Sequence, residues 1–216
     1  MTNVSPASGA TQRTYQPSSG SRCLAPTYAA DLDVLTGNAA AILEDARSLM
    51  AGLSDAQFNW KPSPVRWSIS QCVKHLVLTG TMAATEQEAA ITKLERAGAR
   101  SDGPYEYRGI PSKMGNMLMG GVEPPVVKRF KTSKKVYPAE QHNRDALVED
   151  FLEVYGRLER LIVRAKGLDL GAASVGLPVP LFRMKLGQSI AFELAHARRH
   201  LWQARQVRNE AAFPTN

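Results

Sequence analysis

Four stretches of this chain repeat their apolar residues at spacings of three and four, and no stretch alternates them at a spacing of two. Three-and-four spacing gathers side chains on one face of an α-helix, and that face is stable only when buried against other elements. Leu32, Leu35, Ala39, Ile42, Ala46, Leu49 and Leu53 form the first stripe, in a helix predicted from about Tyr28. Ser54-Asp55 then gives a cap and turn, with Gln57-Phe58 in a short helical turn. Ser68 opens the second helix, because Gln71 three residues on makes a capping box. Ile69, Cys72, Leu76, Thr79, Met82 and Ala83 carry its face to about Arg96, and Gly98 ends it. The third runs from about Arg144 to Lys166, with Leu147, Phe151, Leu152, Tyr155, Leu158, Leu161 and Ile162 inward and Gly167 as its cap. The fourth runs from about Leu186 to Arg208. Four amphipathic helices without a strand pattern predict an all-α chain folded as a four-helix bundle.

The connections are unequal. Residues 98–143 lack a periodic pattern, and Gly120-Gly121 and Pro124-Pro125 interrupt them. So long a connection reads as a crossover of the bundle, with a short helix around Lys113–Met119. Leu177-Pro178-Val179-Pro180 is expected to be extended. Residues 1–26 are dominated by Ser, Thr, Pro, Gly, Gln and Ala and predict a disordered tail, which leaves one bundle domain over 27–212.

Composition removes several classes of function. A length of 216 residues suffices for one sizeable core. Two cysteines, Cys23 and Cys72, cannot make a disulfide framework or a Cys-rich zinc module. No run of 18 apolar residues predicts a membrane span, and the polar start of the chain predicts no secretory signal, so the expectation is a cytoplasmic protein. The net charge of +7 suggests nucleic acid until it is located. Residues 1–26 hold Arg13 and Arg22 and no acid, and 98–143 hold eight basic residues against four acidic. The bundle itself is nearly neutral, so nucleic acid is not the expected partner. The densest basic run, Lys128 to Lys135, contains one aromatic residue, Phe130, and reads as a solvated charge run.

The histidines carry more information. His196 and His200 are four apart on the last predicted helix, about 40° apart around its axis and one turn apart along it. Their stripe also holds Ser189, Phe192, Gln203 and Val207, which points it inward, while Arg198 and Arg205 fall opposite and are expected to reach solvent. His75 lies on the mixed stripe of the second helix with Ser68, Gln71, Cys72, Thr79, Met82 and Glu86. Buried imidazoles need partners, and a three-histidine metal site with positions left for water or substrate is the economical account of all three. Spacing alone also allows a satisfied core histidine. The HExxH pattern is absent, since Ala197 stands at the Glu position, and Glu193-x-x-His196 lacks the second copy that a di-iron bundle requires. His142 precedes the third helix and reads as an exposed loop residue.

Two motifs add a family likeness. The stretch LSDAQFNWKPSPVRWSISQCVKHL, with Trp67, Ser68, Ile69, His75 and Leu76, resembles the opening of the second helix in the DinB-like (YfiT-like) family. The stretch HARRHLWQ, with His196, His200 and Gln203, resembles that family's last-helix motif. The likeness covers about residues 28–210. It implies an up-down-down-up bundle with the crossover between helices two and three, and metal ligands at His75, His196 and His200. The chemistry it implies is low-molecular-weight thiol transfer, mycothiol-dependent isomerisation or metal-dependent hydrolysis. Gln71 and Arg199 depart from the family pattern, where an acid and a further histidine are common.

The expectation is therefore a metal-dependent enzyme acting on a small molecule, with a divalent ion (zinc, nickel or iron) activating a thiol or water, and a low-molecular-weight thiol as a further cofactor. Glu193, Gln203 and Glu86 are candidates to orient or exchange protons beside the metal. Cys72 reads as packing, and Trp60 and Trp67 as plugs at the end of the bundle. The alternative is a non-catalytic, stress-linked interaction module associated with nucleic acid through the basic loop. Ile190, Leu194 and Leu201 form a second apolar stripe, either core flank or the contact of a homodimer.

Overall fold

A computed structural model of the chain describes residues 32–103, 105, 107–119, 121–124, 131–176 and 182–215. The expected tail, the 177–180 segment and Lys128–Phe130 lie outside the described residues. Four long helices dominate: α1 (Leu32–Met50), α3 (Ile69–Ala97), α5 (Arg144–Arg164) and α6 (Leu186–Arg208). The short α2 (Asp55–Asn59) joins the first two, and α4 (Gly109–Met119) lies in the crossover. The chain is all-α in class, as its periodicity predicts.

Local chemistry sets the helix ends. Ser54 caps α2 and Ser68 caps α3, each by accepting the N–H of a glutamine three residues on while that side chain takes the serine's own N–H. These boxes occupy backbone donors that a helix start otherwise leaves without partners. Gly98 ends α3 at φ 62°, a left-handed conformation that suits glycine. Asn143 caps α5 through the N–H of Ala146 at 2.9 Å. The crossover helix starts earlier than expected, at Gly109 rather than about Lys113, because Pro111 sits in its first turn, where a missing N–H costs nothing.

Paired residues give the helix directions. Lys74 meets Asp150, Arg157 meets Glu88 and Arg164 meets Glu95, so α3 and α5 run the same way. Arg205 binds Asp45 and Arg208 reaches the carbonyls of Ser48 and Leu49, so α1 and α6 also run the same way. His75 faces His196, while Gln87 Nε2 donates to Ser189 Oγ at 3.2 Å, so α3 and α6 oppose each other. Both α1 and α3 pack against α5 and α6. The enclosed core includes Leu35, Leu49, Phe58, Ile69, Leu76, Ile91, Phe151, Tyr155 and Ile162.

Three expectations need correction. A two-stranded antiparallel hairpin precedes α6, with β1 (Ser174–Gly176) against β2 (Arg183–Lys185) and Val175 opposite Met184. Strands of three residues are too short to show an alternating pattern. Arg198 and Arg205 do not simply reach solvent, for they are half-buried in ion pairs with Glu123 and Asp45. Ile190, Leu194 and Leu201 are buried in the chain's own core, which removes that stripe as a dimer contact.

At Gly80, α3 passes close to both α5 and α6. A Cβ there would stand 2.9 Å from Val154 Cγ1 and 3.4 Å from the Tyr155 ring. Val154 is β-branched and cannot swing aside cheaply. Gly80→Val should therefore cost on the order of 2 kcal/mol or more in urea unfolding. In Gly156→Ala the new Cβ meets only the end of Arg160 at 3.4 Å, and the protein should be unchanged or more stable by up to about 1 kcal/mol.

Candidate metal centre

The α3 cap places His75 on that helix's second turn, facing α6. Its Nδ1 lies 2.8 Å from the carbonyl oxygen of Val136, in the 3₁₀ turn Lys134–Val136 of the crossover. A carbonyl only accepts, so Nδ1 carries the proton and Nε2 presents its lone pair. That Nε2 stands 3.3 Å from His196 Nε2. His200, one turn along α6, completes the set, with ring centroids 4.7 Å from His75 and 4.6 Å from His196. One ligand atom from each ring lies within 4.8 Å of the other two.

Electrostatics favour the neutral rings. Burial lowers the pKa of His75, against the pull of its bond to Val136. His196 falls to about 3, first by burial and then by the charges of His75 and Arg199. His200 falls well below the usual histidine range, again first by burial, with a side-chain hydrogen bond to Gln203 opposing the shift. Near neutral pH all three rings are therefore in the form that binds metals.

The residues present fit a metal ion. Nδ1 of His200 is buried with no hydrogen-bond partner among the described residues, a cost that an ion bound at that nitrogen would offset. Two nitrogens bound to a tetrahedral ion at about 2.0–2.1 Å lie roughly 3.3 Å apart, which matches the His75–His196 separation. Three neutral nitrogen donors suit zinc, nickel or iron.

Two aromatic residues wall the cluster. Trp67 stacks on His200 with centroids 5.7 Å apart at 26°, tilts over His75 at 5.1 Å and meets the half-exposed Tyr137 edge-on at 5.8 Å. The expectation of a mere plug holds for Trp60, edge-on to Phe213, but Trp67 is part of the site. The sequence signal was its place one residue before the α3 cap. Phe192 stacks on His196 at 5.9 Å and 6°. Val136 acts through a backbone carbonyl, which leaves no signature in sequence.

The other candidates scatter. Gln203 bonds to His200. Glu193, one turn before His196, is buried and accepts the Tyr155 hydroxyl at 2.9 Å, and burial pushes its carboxyl up to about 8. Glu86 is exposed and accepts the N–H of Gly176 at 3.2 Å, so the structure does not bring it to the histidines. Burial pushes the Cys72 thiol far up, which makes it packing. His142 is half-buried rather than exposed, with Nε2 3.2 Å from the Ala139 carbonyl. An open groove of about 610 Å³ lies between α1 and α5, lined by Arg47, Met50, Arg144, Val148 and Leu152, away from the histidines.

Facing helices of this bundle bring together three imidazoles that could hold a metal ion, the kind of site that helical bundles build in their cores. The chain belongs to the DinB superfamily, whose profile matches residues 40–204. No curated protein and no solved structure matches it significantly.

The shifts have opposite consequences for stability. The histidines bind protons in the unfolded chain below about pH 6.5 but not in the fold, so the metal-free protein should lose stability as pH falls from 7 to 5. Glu193 holds its proton in the fold up to about pH 8 but only to about 4.5 when unfolded, so its contribution is lost as pH rises between those values. Urea midpoints of Glu193→Gln and the parent should accordingly shift in favour of the variant between pH 5 and 8.

Proposed function

We propose that this is a cytoplasmic metal-dependent enzyme acting on a small molecule, with His75, His196 and His200 as the ligands. The observation that carries the reading is the convergence of three neutral rings, two buried and that of His196 half-buried, with His75 fixed in tautomer by the Val136 carbonyl. A divalent ion held there would supply Lewis acidity, lowering the pKa of a thiol or a water. Thiol transfer and hydrolysis are the reactions this chemistry serves, with a low-molecular-weight thiol as co-substrate in the first.

The chain's own residues divide the remaining work. Val136 orients His75 and makes its Nε2 a better donor. Trp67 and Phe192 exclude water from two sides of the cluster and offer apolar surface to a substrate. Gln203 steadies His200. Glu193 stores a proton near neutral pH, one helical turn from His196, where it is suited to give or take one at the reacting group. The described chain provides no activated protein nucleophile, since its one cysteine, Cys72, is buried and protonated, so the nucleophile enters with the substrate or solvent. The alternative, a nucleic-acid-associated module, draws on the exposed Lys131, Lys134 and Lys135 and gives the buried histidines no task.

Metal analysis of purified protein incubated with zinc, nickel, iron or manganese tests this. One equivalent of metal is expected in the parent, with affinity weakened by more than about 100-fold in His200→Ala. A parent that takes up no stoichiometric metal from any of the four would overturn the reading.

A further inference from the structure

We propose that the substrate presents a planar aromatic group to this centre, packed against Trp67 and Tyr137 beside the three histidines. The proposal rests on reading His75, His196 and His200 as a metal site, and adds the class of molecule that the site takes.

The members of the cluster that reach solvent are almost all carbon rings. His75 and His200 are nearly covered, whereas His196, Trp67 and Phe192 are half-buried and Tyr137 is 57% exposed. Trp67 lies 5.1 Å from His75 and 5.7 Å from His200, and Tyr137 meets Trp67 at 5.8 Å and 82°. Phe192 lies parallel to His196 at 5.9 Å. A molecule that approaches the histidines past these side chains therefore meets aromatic faces and edges.

Tyr137 is the informative member. It is a large ring left open to water, yet the chain on both sides of it is held. Val136 before it is buried and gives its carbonyl to His75, Pro138 after it is buried, and its own N–H donates to the Lys134 carbonyl at 3.4 Å. A ring fixed in place and exposed beside a buried cluster loses little freedom when a ligand covers it. Charge narrows what that ligand is. Lys134 and Lys135 are exposed just before Tyr137, and an ion held by the histidines is itself positive, so a cation is repelled from these rings. A neutral aromatic group meets no such repulsion. Rings pack edge-on or offset with centroids about 4.5–7 Å apart, the spacing that Trp67, Tyr137 and the imidazoles already keep among themselves. A saturated group of equal bulk gains the apolar burial without that packing, so affinity separates the two.

Calorimetric titration of the zinc-loaded protein with benzohydroxamate, cyclohexanecarbohydroxamate and acetohydroxamate tests the proposal. The three share one metal-binding group and differ in what they lay against the rings. The parent should bind benzohydroxamate about three- to tenfold more tightly than the cyclohexane compound, and acetohydroxamate most weakly. Tyr137→Leu keeps apolar bulk without the ring and should erase most of the preference for benzohydroxamate at unchanged zinc content, while Tyr137→Phe should retain it. Because Tyr137 is exposed, neither change touches the core. Equal affinity of the parent for benzohydroxamate and the cyclohexane compound would overturn the proposal and leave the metal reading intact. So would a preference that survives undiminished in Tyr137→Leu, or a zinc-loaded parent that binds none of the three. Metal content measured on the same samples reports on the metal reading separately, and a parent that takes up no metal removes both.

Discussion

The hydrogen bond from His75 Nδ1 to the Val136 carbonyl joins the two halves of this structure. On one side is a bundle whose helices are fixed by caps and apolar stripes. On the other is a crossover with no periodic pattern of its own. The bond turns one ring nitrogen outward to the crossover and so aims the other inward at α6. Without it His75 would be free to take the other tautomer, and the three nitrogens would no longer converge as acceptors. The long crossover is therefore more than a connection between α3 and α5. It carries α4 and Gly121 along α6, and it holds His75 in place with its last turn.

The energetics separate into scaffold and site. Apolar burial from all four long helices supplies the stability, while most of the ion pairs between them are partly exposed and contribute little individually. The interior between α3 and α6 is polar by contrast. Gln87 meets Ser189, Tyr155 meets Glu193, and the histidines follow towards the beginning of α3. Desolvating these groups costs stability, and ring nitrogens without partners add to that cost. A bundle needing only to fold would place leucine at these positions. Binding a cation to the rings would recover part of that cost, which couples metal affinity to folding.

The four long helices, the Ser68 capping box and the bounds of α6 were legible in the sequence, because three-and-four periodicity and Ser-x-x-Gln spacing have direct physical causes; the same spacing at Ser54, read only as a cap and turn, also makes a box. The three histidines were legible as members of inward stripes, although the stripes do not say which neighbouring helix each one faces. What the sequence hid falls into recognisable kinds. Val136 contributes a main-chain atom, which any residue could supply. Trp67 contributes through stacking across elements, and its sequence environment only marks it as large and apolar. Arg198 and Arg205 were placed correctly around the helix, but their partners Glu123 and Asp45 come from distant segments, and those pairings half-bury them. Glu86 lies on the right face of α3 but too far along it, where the small hairpin claims its carboxylate.

The central claim is that three imidazole nitrogens of this chain hold one divalent ion. X-ray absorption at the metal edge of the zinc-loaded protein tests it most directly. The account requires three nitrogen scatterers at about 2.0–2.1 Å with the multiple-scattering signature of imidazole, reduced to two in His200→Ala. A shell of sulfur at about 2.3 Å, or of oxygen alone, would contradict it.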